Sequence, residues 1–256
     1  TFLDKKDIAI KYLLPKICKK YGIKKINITE DEIVKLINNY TTQPGIRELE
    51  RLLDKIVRYM LINGVKKEPN LNVILGLPIR INKEDELMVG QSNIIGVSPY
   101  NGAIVKVSSI HSKDMILTGN IGNNLKNSIL MVLSYLKNNK YIKEDDYFHI
   151  NFNVNKYILD GYSGGLGIAA SVISLINNKK IDGNICFIGA IDLYGRVLRV
   201  SRLRDKIITC YNNNLNIIYL PIQNKIDEEY IPEEVLQNVK LRYISTFEEV
   251  YNELFK

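Results

Sequence analysis

Apolar positions recur at helical spacing in the first part of the chain and then alternate between helical and strand-like periods. Between Asp4 and Lys20, Ile8, Tyr12, Leu13 and Ile17 form a helical stripe, interrupted by Pro15 and closed by Gly22. Ile33, Leu36, Ile37 and Tyr40 predict a second helix. Its start is marked twice: Thr29 and Glu32 have capping-box spacing, and Ile28 and Ile33 are spaced as a hydrophobic staple. A third helix opens near Pro44, turns Ile46, Leu49, Leu53, Ile56 and Met60 inward and stops at Gly64. Residues 1–66 therefore read as a small α-helical bundle.

At Lys66-Lys67-Glu68-Pro69-Asn70 the composition changes, and punctuation continues through Gly76, Pro78 and Asn82 to Glu86, so residues 67–85 read as a linker. The pattern then mixes periods. Ile94 to Val97 and Ala103 to Ser109 predict strands joined by Ser98-Pro99-Tyr100-Asn101-Gly102, where Pro99 has no N–H to offer a neighbouring strand. Leu125, Ile129, Val132, Leu133 and Leu136 predict an amphipathic helix after the turn Thr118 to Gly122. From Tyr147 to Val154 the chain alternates, with Phe148, Ile150, Phe152 and Val154 on one face and His149, Asn151 and Asn153 on the other. Further strands are predicted at 185–188, 217–220 and 239–244, and helices at 201–212 and 246–255. Residues 86–256 thus predict a mixed α/β or α+β domain with polar residues at element ends.

The chemistry is expected in Asp160-Gly161-Tyr162-Ser163-Gly164-Gly165-Leu166-Gly167. The alternating strand precedes it, and Leu166, Ala169, Ile173 and Ile176 follow at helical spacing, so Ser163 falls at a helix N-terminus. Unpaired N–H groups and the macrodipole there stabilise an oxyanion. An ordinary N-cap in a glycine-rich turn fits the same residues. The run also satisfies G-x-S-x-G, whose hydrolases need a later acid and then a later histidine. Both histidines, His111 and His149, precede Ser163, which argues against that esterase arrangement. His149 on its polar strand face suits a structural hydrogen bond better than a catalytic base.

Lysine remains as a base. Ser201 reads as the N-cap of a helix with Leu203, Ile207, Cys210 and Tyr211 on its apolar face; Lys206 flanks that face and Asp205 points away. A partly desolvated lysine loses proton affinity, and reaching a pKa of about 8 costs roughly 3 kcal/mol. A lysine with its head in water accounts for the same spacing.

Composition narrows the alternatives. The 256 residues suffice for two modest domains, and 25% charged with 46% hydrophobic residues is ordinary for a globular chain. No apolar run approaches membrane-spanning length. The chain starts in mid-pattern without a signal peptide and is expected to be an excised fragment. Cys18, Cys186 and Cys210 have neither disulfide-framework nor metal-ligand spacing, so no metal site and a reducing, intracellular compartment are expected. A net charge of +7 allows weak affinity for nucleic acid, but the lysines are dispersed among acids and no nucleic-acid motif occurs.

Three segments together resemble the proteolytic domain of Lon-type ATP-dependent proteases. The family's D-G-P-S-A-G appears as Asp160-Gly161-Tyr162-Ser163-Gly164-Gly165. Its T-G-E-I-T-L-R-G-x-V-L appears as Ile188-Gly189-Ala190-Ile191-Asp192-Leu193-Tyr194-Gly195-Arg196-Val197-Leu198, and its G-G-L-K-E-K as Ser201-Arg202-Leu203-Arg204-Asp205-Lys206. The bundle resembles the helical lid of the preceding AAA+ module, with Thr42 to Arg51 matching a stretch whose arginine, here Arg47, reaches nucleotide phosphates. The resemblance implies a Ser163–Lys206 dyad, backbone N–H groups around Gly161, Tyr162 and Gly164 at the oxyanion, and Asp160 helping to position Lys206. It also implies unfolded protein substrates, a homohexamer, ATP and Mg in the full-length protein, and a soluble location in cytoplasm or mitochondrial matrix. The phosphate loop G-x-x-x-x-G-K-[ST] is absent, so the ATPase core is expected upstream. Ile188 and Ala190 replace a threonine and an acid of the family pattern, which motivates a rival reading as a degenerate assembly or binding module.

Overall fold

The structure is a computed structural model that describes residues 2–41, 45–64, 69–78, 86–97, 102–154 and 158–256. Contacts divide the chain into two units, Thr1–Lys83 and Glu84–Lys256. Sequence expectations on Pro44, on Lys66 to Glu68 and on the turn at Pro99 lie outside the described residues.

The first unit is helical. Helices α1 (Phe2–Ile8) and α2 (Leu14–Lys20) are joined by a π-helical turn, Ala9–Leu13. Pro15 lacks the N–H that an α-helix would use there, and the wider turn carries the helix past it. Helix α3 (Glu30–Tyr40) starts at the expected capping box: Thr29 N donates to Glu32 Oε2 at 2.7 Å and Glu32 N to Thr29 Oγ1 at 3.3 Å. Helix α4 (Arg47–Ile62) buries Leu49, Leu53, Ile56, Val57 and Met60 against Ile33, Leu36 and Ile37. A fourth element was not expected. Helix α5 (Leu71–Leu75) is capped by the Asn70 side chain and inserts Ile74 into the same core. Part of the expected linker thus belongs to the bundle, because Asn70 supplies a start and Ile74 an anchor.

The second unit is a seven-stranded sheet in the order β3-β4-β2-β1-β5-β8-β9. Its strands are β1 (Gln91–Val97), β2 (Gly102–Ser112), β3 (Ile116–Thr118), β4 (Tyr147–Phe152), β5 (Ile185–Phe187), β8 (Ile217–Pro221) and β9 (Lys240–Ile244); β6 (Ala190–Ile191) and β7 (Val197–Leu198) form a separate hairpin. β1/β2 and β2/β4 are antiparallel, whereas β1/β5, β5/β8, β8/β9 and β3/β4 are parallel. Helices α6 (Asn123–Asn138), α7 (Gly165–Ile176), α8 (Leu203–Asn212), α9 (Glu233–Asn238) and α10 (Phe247–Leu254) complete it. The alternation in β4 is realised: Phe148, Ile150 and Phe152 are buried. His149 shares a 2.8 Å hydrogen bond with Thr118 Oγ1, tying β4 to β3.

Helix α7 is mostly apolar, its two serines, Ser171 and Ser174, being hydrogen-bonded, and it is buried from Gly165 to Ser174, as expected of a helix at the centre of a core. Its close approach to the sheet depends on Gly167, where an added Cβ would overlap Ile94 Cγ2. Gly167→Ala is expected to lower stability by about 1–3 kcal/mol, since the displaced partner is a fully packed strand residue, measured as a lower thermal midpoint.

Candidate active site

Ser163 lies in a 3₁₀ turn, Tyr162–Gly164, that runs directly into α7. Entry to the turn needs a left-handed residue, and Gly161 supplies it at φ 108°. The turn and the start of α7 are fixed from two sides. Ser163 O accepts from Gly189 N at 2.9 Å, Leu166 N donates to Gly189 O at 2.9 Å, and Ser128 Oγ donates to Tyr162 O at 3.2 Å.

Asp160 enters the turn from the other end. Its Oδ1 accepts from Leu125 N at 2.9 Å and its Oδ2 from Asn124 Nδ2 at 3.0 Å, so its carboxylate caps α6. Burial pulls the carboxyl upward, but the N–H donors of Leu125, Gly161 and Asn124 outweigh it and hold the pKa below the usual carboxylate range. Asp160 holds the serine turn against α6, and its oxygens are engaged there.

Lys206 comes from the first turns of α8. Leu203, Ile207 and Cys210 are buried beside it as the spacing predicted, while Tyr211 is only half-buried. The cap differs from expectation. Ser201 stands outside the helix, and Arg202 takes the N-cap position in left-handed conformation, φ 57° and ψ 38°, with its guanidinium on Asp205 at 2.9 Å. Lys206 is only 5% exposed, so the reading with its head in water does not hold. Burial, then the Arg202 charge, brings its amine from 10.5 down to about 8, against the opposing influence of the Cys186 and Cys210 thiols. The Cys210 thiol is itself pushed well up by burial and by Cys186.

Ser163 and Lys206 line one cleft of about 290 Å3, together with Asp160, Gly161, Tyr162 and Gly164. Ile94 and Ile95 of β1 form another wall. Ala190 is on the cleft, whereas Ile188 is buried and its N–H donates to Tyr219 O at 2.9 Å. One positioning residue gave no sequence signal: Asn224, fully buried, accepts from Val200 N at 2.9 Å and donates to Val200 O at 2.8 Å. It pins the segment leading into α8. Only the packing of Ile222–Tyr230 against that segment makes it recognisable.

In the first unit, Arg47 opens α4 and lines a cavity of about 460 Å3 with Lys16, Lys20, Arg51, Glu50 and Asp54. Lys16 is paired with Glu50 and Lys20 with Asp54, each at 2.7 Å. Among the described residues no helix is long and apolar enough to cross a membrane, and no three His, Cys, Asp or Glu side chains form a metal-holding group.

The chain has the layout of a helical unit followed by a mixed α/β unit whose cleft holds a serine at a helix N-terminus. Comparison with known proteins gives the same layout: residues 19–73 match the Lon protease AAA+ ATPase lid domain, and residues 66–256 match the Lon protease (S16) C-terminal proteolytic domain. The chain belongs to the Lon protease family. It is 33% identical to a Lon protease of Aster yellows witches'-broom phytoplasma, over 100% of this chain and 35% of the relative. A Lon protease of Finegoldia magna is 30% identical over 99% of this chain and 36% of the relative, and a Lon protease 2 of Borreliella burgdorferi is 27% identical over 99% and 38%. The chain thus spans little more than a third of the length of these curated relatives.

Proposed function

We propose that the Glu84–Lys256 unit is the serine endopeptidase part of an ATP-dependent Lon protease and that Ser163 and Lys206 are its catalytic dyad. The observation that carries this reading is a lysine with a pKa of about 8 on the same cleft as a serine at a helix N-terminus. Neutral Lys206 takes the proton from Ser163 Oγ as the oxygen attacks a substrate carbonyl. N–H groups of the turn around Gly161, Tyr162 and Gly164, with the positive end of α7, stabilise the tetrahedral oxyanion. Protonated Lys206 then gives its proton to the leaving amine, and a water molecule releases the acyl group by the reverse exchange. Asp160 contributes by holding the turn.

On the same reading the whole protein is a homohexamer acting on unfolded polypeptides in the cytoplasm or mitochondrial matrix, with its ATPase core upstream. Lys16 and Lys20 are paired with Glu50 and Asp54, so on this cavity Arg47, with Arg51 beside it, would hold nucleotide phosphates while the upstream core would supply the Mg-dependent chemistry. Any binding of nucleic acid is a salt-sensitive surface effect of the +7 charge.

The test is covalent labelling with a serine-directed fluorophosphonate, located by mass spectrometry. Labelling is expected at Ser163 and is expected to vanish in Ser163→Ala and in Lys206→Ala. A parent chain that is folded yet unlabelled at Ser163, or a Lys206→Ala chain labelled at the parent rate, defeats the dyad.

A further inference from the structure

The cleft that holds Ser163 offers little apolar surface to a ligand. Of its apolar lining, Ile94, Ile95, Leu125, Leu159 and Val200 are each 8% exposed or less, and Ala190 carries only a methyl group. Tyr162 is the exception. It also lines the cleft and is 40% exposed, although the other large apolar residues between Leu159 and Ile168 are buried. Among the described residues its ring meets no other ring and no cation, and its hydroxyl has no hydrogen-bond partner.

The base of that ring is fixed while the ring is free. Ser128 Oγ donates to Tyr162 O at 3.2 Å, and Gly189 N to the neighbouring Ser163 O at 2.9 Å. A tyrosine on a fixed backbone has only two side-chain torsions to lose when it is covered, so it supplies contact area at low entropic cost. The charged lining does not compete for the same ligand. Arg199 is bonded to Asp227 at 2.6 Å and Arg202 to Asp205 at 2.9 Å, and the oxygens of Asp160 are engaged by Leu125 and Asn124. What the open ring recognises is another flat, uncharged group, because two aromatic rings attract each other beyond the area they cover.

We propose that Tyr162 is a specificity-determining residue, whose ring stacks on an aromatic side chain of a peptide residue flanking the bond that Ser163 attacks. This deepens the peptidase reading and rests on it for the placement of the peptide. Tyr162 immediately precedes Ser163, so a side chain seated on its ring belongs to a residue close to the attacked carbonyl.

The test uses the Ser163→Ala chain and fluorescent peptides that differ only by Phe or Leu at each position in turn, with binding followed by anisotropy. At one position the Phe peptide is expected to bind about fivefold tighter, equivalent to about 1 kcal/mol. That ratio is expected to persist in Tyr162→Phe, which keeps the ring, and to fall towards one in Tyr162→Leu, which keeps apolar bulk without it. A peptide carrying p-benzoylphenylalanine at the selected position is expected, on irradiation with the chain that retains Tyr162, to crosslink to Tyr162, as located by mass spectrometry; this measurement does not depend on the folding of a Tyr162 variant. Equal binding of Phe and Leu peptides, no binding of either up to millimolar concentration, a ratio that survives Tyr162→Leu, or crosslinks only at other residues overturns the assignment. Hydrolysis of the same peptides by the chain with Ser163 intact separates the two claims. Phe-selective binding without cleavage keeps the role of Tyr162 and defeats the peptidase reading; cleavage without Phe selectivity does the reverse.

Discussion

Hydrolysis of an unstructured peptide is expected to rise about a hundredfold between pH 6 and pH 9 and then level off. In the proposed dyad the proton acceptor is Lys206, whose amine burial and the Arg202 charge bring down to about 8, and only its neutral form takes a proton. Below that pKa the neutral fraction falls tenfold per pH unit, which sets the slope. The groups that face the amine are Arg202 and Cys210 of α8 and Cys186 of β5; burial is the largest influence and the Arg202 charge the next. Arg202→Gly therefore moves the midpoint upward. The check is kcat/KM against pH for both chains, with circular dichroism confirming that each is folded at every pH. A profile that is flat, or that falls, removes Lys206 as the base.

Lys206→Met is expected to be inactive and yet more stable than the parent at pH 7, by up to about 3 kcal/mol. The sign follows from the two protonation equilibria. Below about pH 8 the amine is charged in both folded and unfolded chains, and the folded state bears the whole cost of a buried cation. Between about 8 and 10.5 the unfolded chain stays protonated while the folded one does not, so the parent gains stability as pH rises. Methionine fills the space with an unbranched apolar chain and pays no such penalty. Urea titrations at pH 7 and pH 10 provide the measurement: the advantage of Lys206→Met should be large at pH 7 and mostly gone at pH 10. A variant less stable than the parent at both values would mean that the amine contributes to packing and costs nothing to bury.

Local patterns carried most of the fold. The Thr29–Glu32 capping box and the alternation of β4 depend on neighbours in sequence, and the structure realises both. The serine turn was legible because Ser163 stands among glycines after an alternating strand and α7 follows at helical spacing. What stayed hidden depends on residues distant in sequence. The surroundings of Lys206 include Cys186 of β5 and the packing of α8 against β1 and β2. Asn224 acts on Val200 across 24 positions, and Asp160 on Leu125 across 35. The cap of α8 was misassigned to Ser201 because serine is the usual cap, whereas here the backbone turns through a left-handed arginine. The short hairpin of β6 and β7 has too few residues for a period to show.

The two hydrogen bonds that Gly189 exchanges with Ser163 and Leu166 couple the serine turn to the extension of β5. Opening the turn on its own means breaking these bonds, so its amides are expected to exchange together with the sheet and its central helix. On that expectation Ser163 keeps its geometry for as long as the core of the unit stands.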